Sequence, residues 1–161
     1  MKIQDAFDSL SESAIDGLWA SSRNLWIRQI SPSRIGKVGE MLAQKVLGGT
    51  ITANNTIGYD LDSSGKKIEV KLSSVVINDG APILIWRQIR PTDPYTHLCL
   101  IAVYPNDVRL FLVPRDDIPS TALVRSHGGA KGGINLFQIH TRRIYDLPEW
   151  LSKNEVLVTA V

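Results

Sequence analysis

Two short segments of alternating polar and apolar residues, joined by a turn, constrain the fold of this chain most. In residues 57–62 the acids, among them Asp60, alternate with apolar side chains, and in residues 67–72 Glu69 and Lys71 alternate with apolar side chains in the same way. A period of two is typical of a strand with one buried face. The Ser-Ser-Gly between the segments favours a turn. We therefore predict a β-hairpin that presents Asp60, Glu69 and Lys71 on a common polar face.

This face has the groups that phosphodiester hydrolysis requires. Two carboxylates held close together repel each other, and a hard divalent cation such as Mg²⁺ is the usual compensation. A bound metal activates water, and a nearby lysine can orient that water or stabilise the charge of the transition state. For residues 69–71 taken alone, a solvated salt bridge between Glu69 and Lys71 is the simpler interpretation.

A helix is predicted immediately before the hairpin. It covers residues 34–47, with Ser33 as its N-cap and a Gly-Gly pair at its end. Glu40 lies on the flank of this helix, between Gly36 and Ala43, whose small side chains let another element or a metal approach it. A solvated glutamate is the alternative. The stripe that we expect to pack on the core consists of Ile35, Val38, Leu42 and Val46.

In this order along the chain, Glu40, Asp60 and the Glu69-Val70-Lys71 tripeptide resemble the PD-(D/E)XK nuclease superfamily. The resemblance covers roughly residues 34–114. It implies an α/β fold with a restriction-endonuclease-like core, in which a central mixed β-sheet is flanked by helices.

The resemblance also implies a role for each matching residue. Asp60 and Glu69 would bind Mg²⁺, or Mn²⁺ in its place, Lys71 would assist the water nucleophile, and Glu40 would support the metal or its water shell. One departure is that Tyr59 stands where the name of the motif has proline. Asp62 competes with Asp60 for the role of metal ligand, because both have the same parity, but Asp62 lies nearer the turn.

A second group of candidate residues lies in the segment 86–90. If the segment is a strand, Trp86, Gln88 and Arg90 share one face, which could line a DNA cleft. Arginine, here Arg87 and Arg90, binds phosphates, and glutamine reads base edges or orients a catalytic water. Some superfamily members have a glutamine beyond the lysine, which makes Gln88 a catalytic candidate by resemblance. The alternative places Trp86 and Ile89 in the core, with the arginines directed outward.

The third group is basic. The net charge is only +2, but residues 118–145 contain no acid. This window includes a glycine-rich loop, residues 128–133, whose backbone amides could approach phosphates. An ordinary surface loop is an equally good interpretation. The candidate DNA-binding residues of this region are Arg125, Lys131, Arg142 and Arg143.

Length and composition are those of a single domain. The chain has 161 residues, 43% of them hydrophobic, and one cysteine, Cys99, which lies in an apolar run and is expected to be a buried thiol. We expect N-terminal helices in residues 1–48, a catalytic sheet in 50–114 and a basic region in 115–161. Without a signal sequence or a membrane-spanning run, the expected location is cytoplasmic.

The function that these observations favour is that of a magnesium-dependent DNA endonuclease of the restriction, homing or junction-resolving type. Small superfamily members often dimerise, so we expect a homodimer or a partner subunit. The alternative is a non-catalytic DNA-binding or assembly module that retains the nuclease fold.

Overall fold

The computed structural model of the chain describes residues 12–53, 58–126 and 136–158. Helical periodicity across residues 15–30 predicts one helical region, but the helix ends at Ala20 and a second, short helix begins at Trp26. A hydrogen bond from Ser22 N–H to the Trp19 carbonyl (3.0 Å) closes the turn between them. Trp19 itself is buried in the core. The described helices are α1 (Glu12–Ala20), α2 (Trp26–Gln29), α3 (Pro32–Leu47) and α4 (Glu149–Ser152).

Helix α3 is the helix predicted before the hairpin. It begins two residues earlier than expected, since Pro32 is its first residue and Ser31, not Ser33, occupies the N-cap position without a capping side-chain hydrogen bond. It ends as predicted: Gly48 has a positive φ of 75°, and its N–H donates to the Gln44 carbonyl.

The strands form one six-stranded and one four-stranded sheet within the described residues. The first has the order β1-β2-β3-β6-β7-β10 and the second β4-β5-β9-β8. In the first sheet β3 and β6 are parallel and the other pairs are antiparallel, so the predicted mixed sheet is confirmed. The strands are β1 (Thr50–Ile51), β2 (Leu61–Ser63), β3 (Lys66–Ser74), β4 (Val76–Asn78), β5 (Ala81–Ile89), β6 (His97–Val103), β7 (Val108–Pro114), β8 (Val124–Arg125), β9 (Phe137–Thr141) and β10 (Glu155–Val156).

Strand β3 lies between α3 and the second sheet. Gly39 of α3 packs so closely on β3 that a Cβ added there would lie 3.4 Å from the side chains of both Val70 and Leu72. Ser73, of the opposite parity, accepts a hydrogen bond from Ile85 N–H of β5 (2.9 Å). The buried centre of α3 is therefore formed by Gly39 and Ala43, and the predicted apolar stripe lies beside it.

The core occupies the space between these layers. Strand β6 is its most buried element, and Cys99 there is fully buried, as predicted. Burial raises the pKa of the Cys99 thiol, because the thiolate would lose its hydration in these apolar surroundings. None of the described helices is both long and apolar enough to cross a membrane.

Candidate functional site

The predicted hairpin is present, and its geometry fixes Asp60. The first strand is shorter than the predicted residues 57–62: β2 begins at Leu61, and residue 57 lies outside the described residues. The turn before β3 is made by Ser64 and Gly65, which both have positive φ. Asp60 N–H donates to the Ile68 carbonyl (2.8 Å), which continues the pairing. The Asp60 carboxylate then accepts a hydrogen bond from Val70 N–H through Oδ2 (2.8 Å). Asp60 therefore caps the edge of β3 at the point where the pairing with β2 stops.

Glu69 and Lys71 lie on either side of Val70 on β3. Lys71 Nζ is 2.7 Å from Glu69 Oε1, so the ion pair considered in the sequence is present. It is not a solvated pair, because the side chains are only 13% and 19% exposed. Burial raises the pKa of Glu69; the Lys71 charge opposes this rise, while the Asp60 charge adds to it. The two carboxylates thus interact electrostatically beside one cation.

A loop that the sequence did not single out completes the surroundings of Glu69. Thr96 makes two hydrogen bonds with the backbone of Lys67 near the start of β3. The Thr96 N–H donates to the Lys67 carbonyl (2.8 Å), and the Thr96 Oγ1 accepts from the Lys67 N–H (3.0 Å). Arg115 donates to the Asp93 and Tyr95 carbonyls and stacks over the Tyr95 ring. The Asp93 charge is a further factor that raises the pKa of Glu69.

The two remaining acidic candidates lie differently. Glu40 is part-buried and forms an ion pair with Lys37 one turn earlier on α3 (3.3 Å). Asp62 is exposed and accepts a hydrogen bond from the Tyr59 hydroxyl (3.3 Å). Asp60, by contrast, acts electrostatically on Glu69, so the structure favours Asp60 over Asp62 as its partner.

The three predicted metal ligands, Asp60, Glu69 and Glu40, are not gathered into one metal-binding group in the described part of the chain. Across residues 12–53, 58–126 and 136–158, no three His, Cys, Asp or Glu side chains come together closely enough to hold a metal ion. Mg²⁺, however, is commonly bound through one or two carboxylates, with waters and substrate phosphates in the other positions. Asp60 keeps Oδ1 available, because Oδ2 accepts from Val70, and a hydrogen-bonded carboxylate is typical of a metal ligand.

Residues 86–89 are the end of strand β5 and Arg90 follows it, but the faces of the segment differ from the prediction. A β-bulge interrupts the pairing of β5 with β9 between Trp86 and Ile89, and Gln88 in the bulge has a φ of 58°. Trp86 is buried, and its Nε1–H donates to the Ile101 carbonyl (2.9 Å). The predicted common face of Trp86, Gln88 and Arg90 is therefore wrong, because the bulge turns Gln88 outward. The alternative, with Trp86 and Ile89 in the core, is confirmed.

The bulge brings two candidates to the same groove as Lys71. Arg87 and Gln88 line a groove of about 430 Å³ between α3, β3 and β5, together with residues 70–74 of β3. Arg90, three residues further along, does not line it.

The C-terminal basic candidates in the described part of the chain each contact another residue. Arg125 lies over the Phe137 ring. Arg142 donates to the Asn78 carbonyl and pairs with Asp79. Arg143 pairs with Asp146. Lys131 and the glycine-rich loop 128–133 lie outside the described residues.

Comparison with known proteins adds no assignment to this geometry. No protein-family model matches the chain, and no curated protein matches it significantly.

Proposed function

We propose that the chain is a magnesium-dependent endodeoxyribonuclease of the PD-(D/E)XK type, with a restriction-endonuclease-like core. The observation that carries the proposal is the part-buried Glu69–Lys71 pair on β3, with Asp60 hydrogen-bonded to the residue between them. The mixed sheet, with α3 against the strand that carries the pair, is the surrounding that the resemblance implies.

Each side chain then has a distinct task. Asp60 Oδ1 and the Glu69 carboxylate would hold Mg²⁺, which when bound offsets the charge of a phosphoryl oxygen and lowers the pKa of a coordinated water. Burial and the repulsion from Asp60 raise the pKa of Glu69, and the Lys71 ammonium opposes this rise by favouring the ionised form. Its remaining donors can orient the attacking water or stabilise the developing charge.

The number of such sites in one chain determines how the protein would cut both strands of a DNA duplex. One chain carries one such set of residues, so cleavage of both strands requires a second copy or two successive nicks. We therefore include a homodimer, or a complex with a partner subunit, in the proposal.

One observation favours a second candidate, a DNA-binding or assembly module without catalysis. Glu40, which the resemblance assigns to the metal or its water shell, pairs with Lys37 on its own helix. A module would keep the fold and bind DNA without needing Glu40 at the metal.

Plasmid nicking separates the two candidates. Supercoiled plasmid is incubated with the protein and either Mg²⁺ or a chelator, and Glu69→Gln and Lys71→Met are compared with Glu155→Gln. Glu155 is a matched control, because it forms a half-buried ion pair with Arg109 (2.5 Å) at the other end of the six-stranded sheet. We expect Mg²⁺-dependent nicking that falls at least about 100-fold in the two site variants and is retained in the control. DNA binding without nicking by the unaltered protein would favour the module.

A further inference from the structure

The groove beside Lys71 follows an open strand edge. Strand β2 pairs with β3 only at residues 66–68, and Asp60 caps Val70, so residues 70–74 of β3 have no neighbouring strand on this side among the described residues. Side chains of α3 and of the second sheet form the two walls, including Ile35 and the partly exposed Val76. The groove is therefore apolar along its walls and has backbone hydrogen-bonding groups along its floor.

Two polar side chains of this groove, Arg87 and Gln88, are not used by the described part of the fold. Arg87 and Gln88 make no ion pair or side-chain hydrogen bond with the described part of the chain, although both are exposed in the groove. Gln88 also has a positive φ, a conformation that costs a non-glycine residue free energy. Bulges of this kind re-aim side chains near functional sites, and here the bulge directs an arginine and an amide toward the groove that contains Lys71.

We propose that this groove binds one unpaired nucleotide of a DNA strand, so that the substrate is a single strand, flap or bulge rather than an intact duplex. The inference rests on the proposed function. A volume of about 430 Å³ is within the range of about 300–1,000 Å³ for small-ligand sites. An intact duplex presents phosphates to a protein and keeps its bases stacked, so it has no use for the apolar walls. An unpaired nucleotide offers both a base for the walls and a phosphate for Arg87 and Lys71.

Fluorescence anisotropy in the presence of a chelator tests this proposal without cleavage. The probes are a labelled single strand of roughly 12 nucleotides, a blunt duplex of the same sequence, and that duplex with a single-stranded flap. The variants are Arg87→Ala and Val76→Asp. Val76→Asp replaces one apolar side chain of the groove wall at an exposed position, so it tests the groove without disturbing the core. The control is Lys45→Ala, which removes one exposed positive charge nine residues beyond Gly36 on α3, about 14 Å from the groove.

We expect the single strand and the flap to bind about tenfold more tightly than the blunt duplex. Arg87→Ala and Val76→Asp should each reduce single-strand affinity about tenfold and change duplex affinity by less than about twofold, with Lys45→Ala near wild type on all probes. Equal or tighter duplex binding, or equal effects of Arg87→Ala and Lys45→Ala, would overturn the proposal. Duplex preference together with Mg²⁺-dependent nicking of the plasmid refutes the groove alone, whereas single-strand preference without Mg²⁺-dependent cleavage of the plasmid, the single strand or the flap refutes only the nuclease.

Discussion

The hydrogen bond between Asp60 and Val70 allows the structural and metal-binding roles of one carboxylate to be separated. Val70 is 6% exposed, so its N–H has little access to water if the acceptor is lost. An unsatisfied buried donor costs about 1–3 kcal/mol, and a hydrogen bond to a charged acceptor contributes about 1.5–3 kcal/mol. We therefore expect Asp60→Ala to lower the free energy of unfolding by about 2 kcal/mol.

Asp60→Asn should behave differently, because its amide oxygen can still accept from Val70. The substitution also removes the repulsion between residue 60 and Glu69, which raises the pKa of Glu69 in the native protein. Its net destabilisation should be below about 1 kcal/mol. Asp62→Ala is the matched control, since that carboxylate is exposed and should contribute less than about 0.5 kcal/mol.

Urea denaturation in the presence of a chelator measures these differences in the free energy of unfolding, and thermal unfolding of the same variants measures the corresponding change in Tm. A loss of about 2 kcal/mol corresponds to a decrease of about 4–8 °C in Tm for a chain of this size. Addition of Mg²⁺ should stabilise the unaltered protein and neither Asp60 variant, because both lack the second carboxylate. If Asp60→Asn were as unstable as Asp60→Ala, or if it kept the stabilisation by Mg²⁺, the assignment of Asp60 would be refuted.

Three further predictions concern the same strand and groove. Burial raises the pKa of Glu69, so Mg²⁺ affinity should fall as the pH is lowered through that raised value. Lys71→Met removes the cation that favours the ionised form of Glu69, so it should move this fall to higher pH. Calorimetric titration from about pH 5 to 8 measures both effects, and a shift to lower pH would contradict the reasoning. Gln88→Gly should stabilise the protein by about 1 kcal/mol in urea denaturation, because glycine adopts the positive φ without strain, while weakening flap binding. Ser73→Ala should cost about 1–3 kcal/mol, since Ile85 N–H loses its acceptor, and a loss below about 0.5 kcal/mol would show that water replaces it.

The hairpin and the strand faces could be predicted because their signals are local. Alternation placed Glu69 and Lys71 on one side of β3, and the Gly pair placed the end of α3. The interruption after Ala20 was not predictable in the same way, because apolar spacing continues through it. Its cause is tertiary: Asn24 beyond the break donates to the carbonyls of Tyr104 and Asp107.

The bulge at Gln88 and the loop at Asp93 escaped prediction for two different physical reasons. A period of two assigns faces correctly only while the strand stays regular, and one extra residue reverses every face that follows. The loop has no period, and its position depends on Arg115, which is distant in sequence and binds its carbonyls. The residues next to Gln88 and Asp93 in the sequence therefore predict neither the bulge nor the position of the loop.

The energetics of β3 connect these observations. A buried ion pair contributes little to stability, because the loss of hydration offsets the attraction between its charges. The Glu69–Lys71 pair is less favourable still, since the Asp60 and Asp93 charges both raise the pKa of Glu69. Folding alone would be served as well by an apolar pair at these positions, whereas binding a divalent cation requires ionised carboxylates in just such partly dehydrated surroundings. The raised pKa of Glu69 beside Lys71 supports the proposal that Glu69, Lys71 and Asp60 form a functional site, since perturbed ionisable groups cluster at such sites.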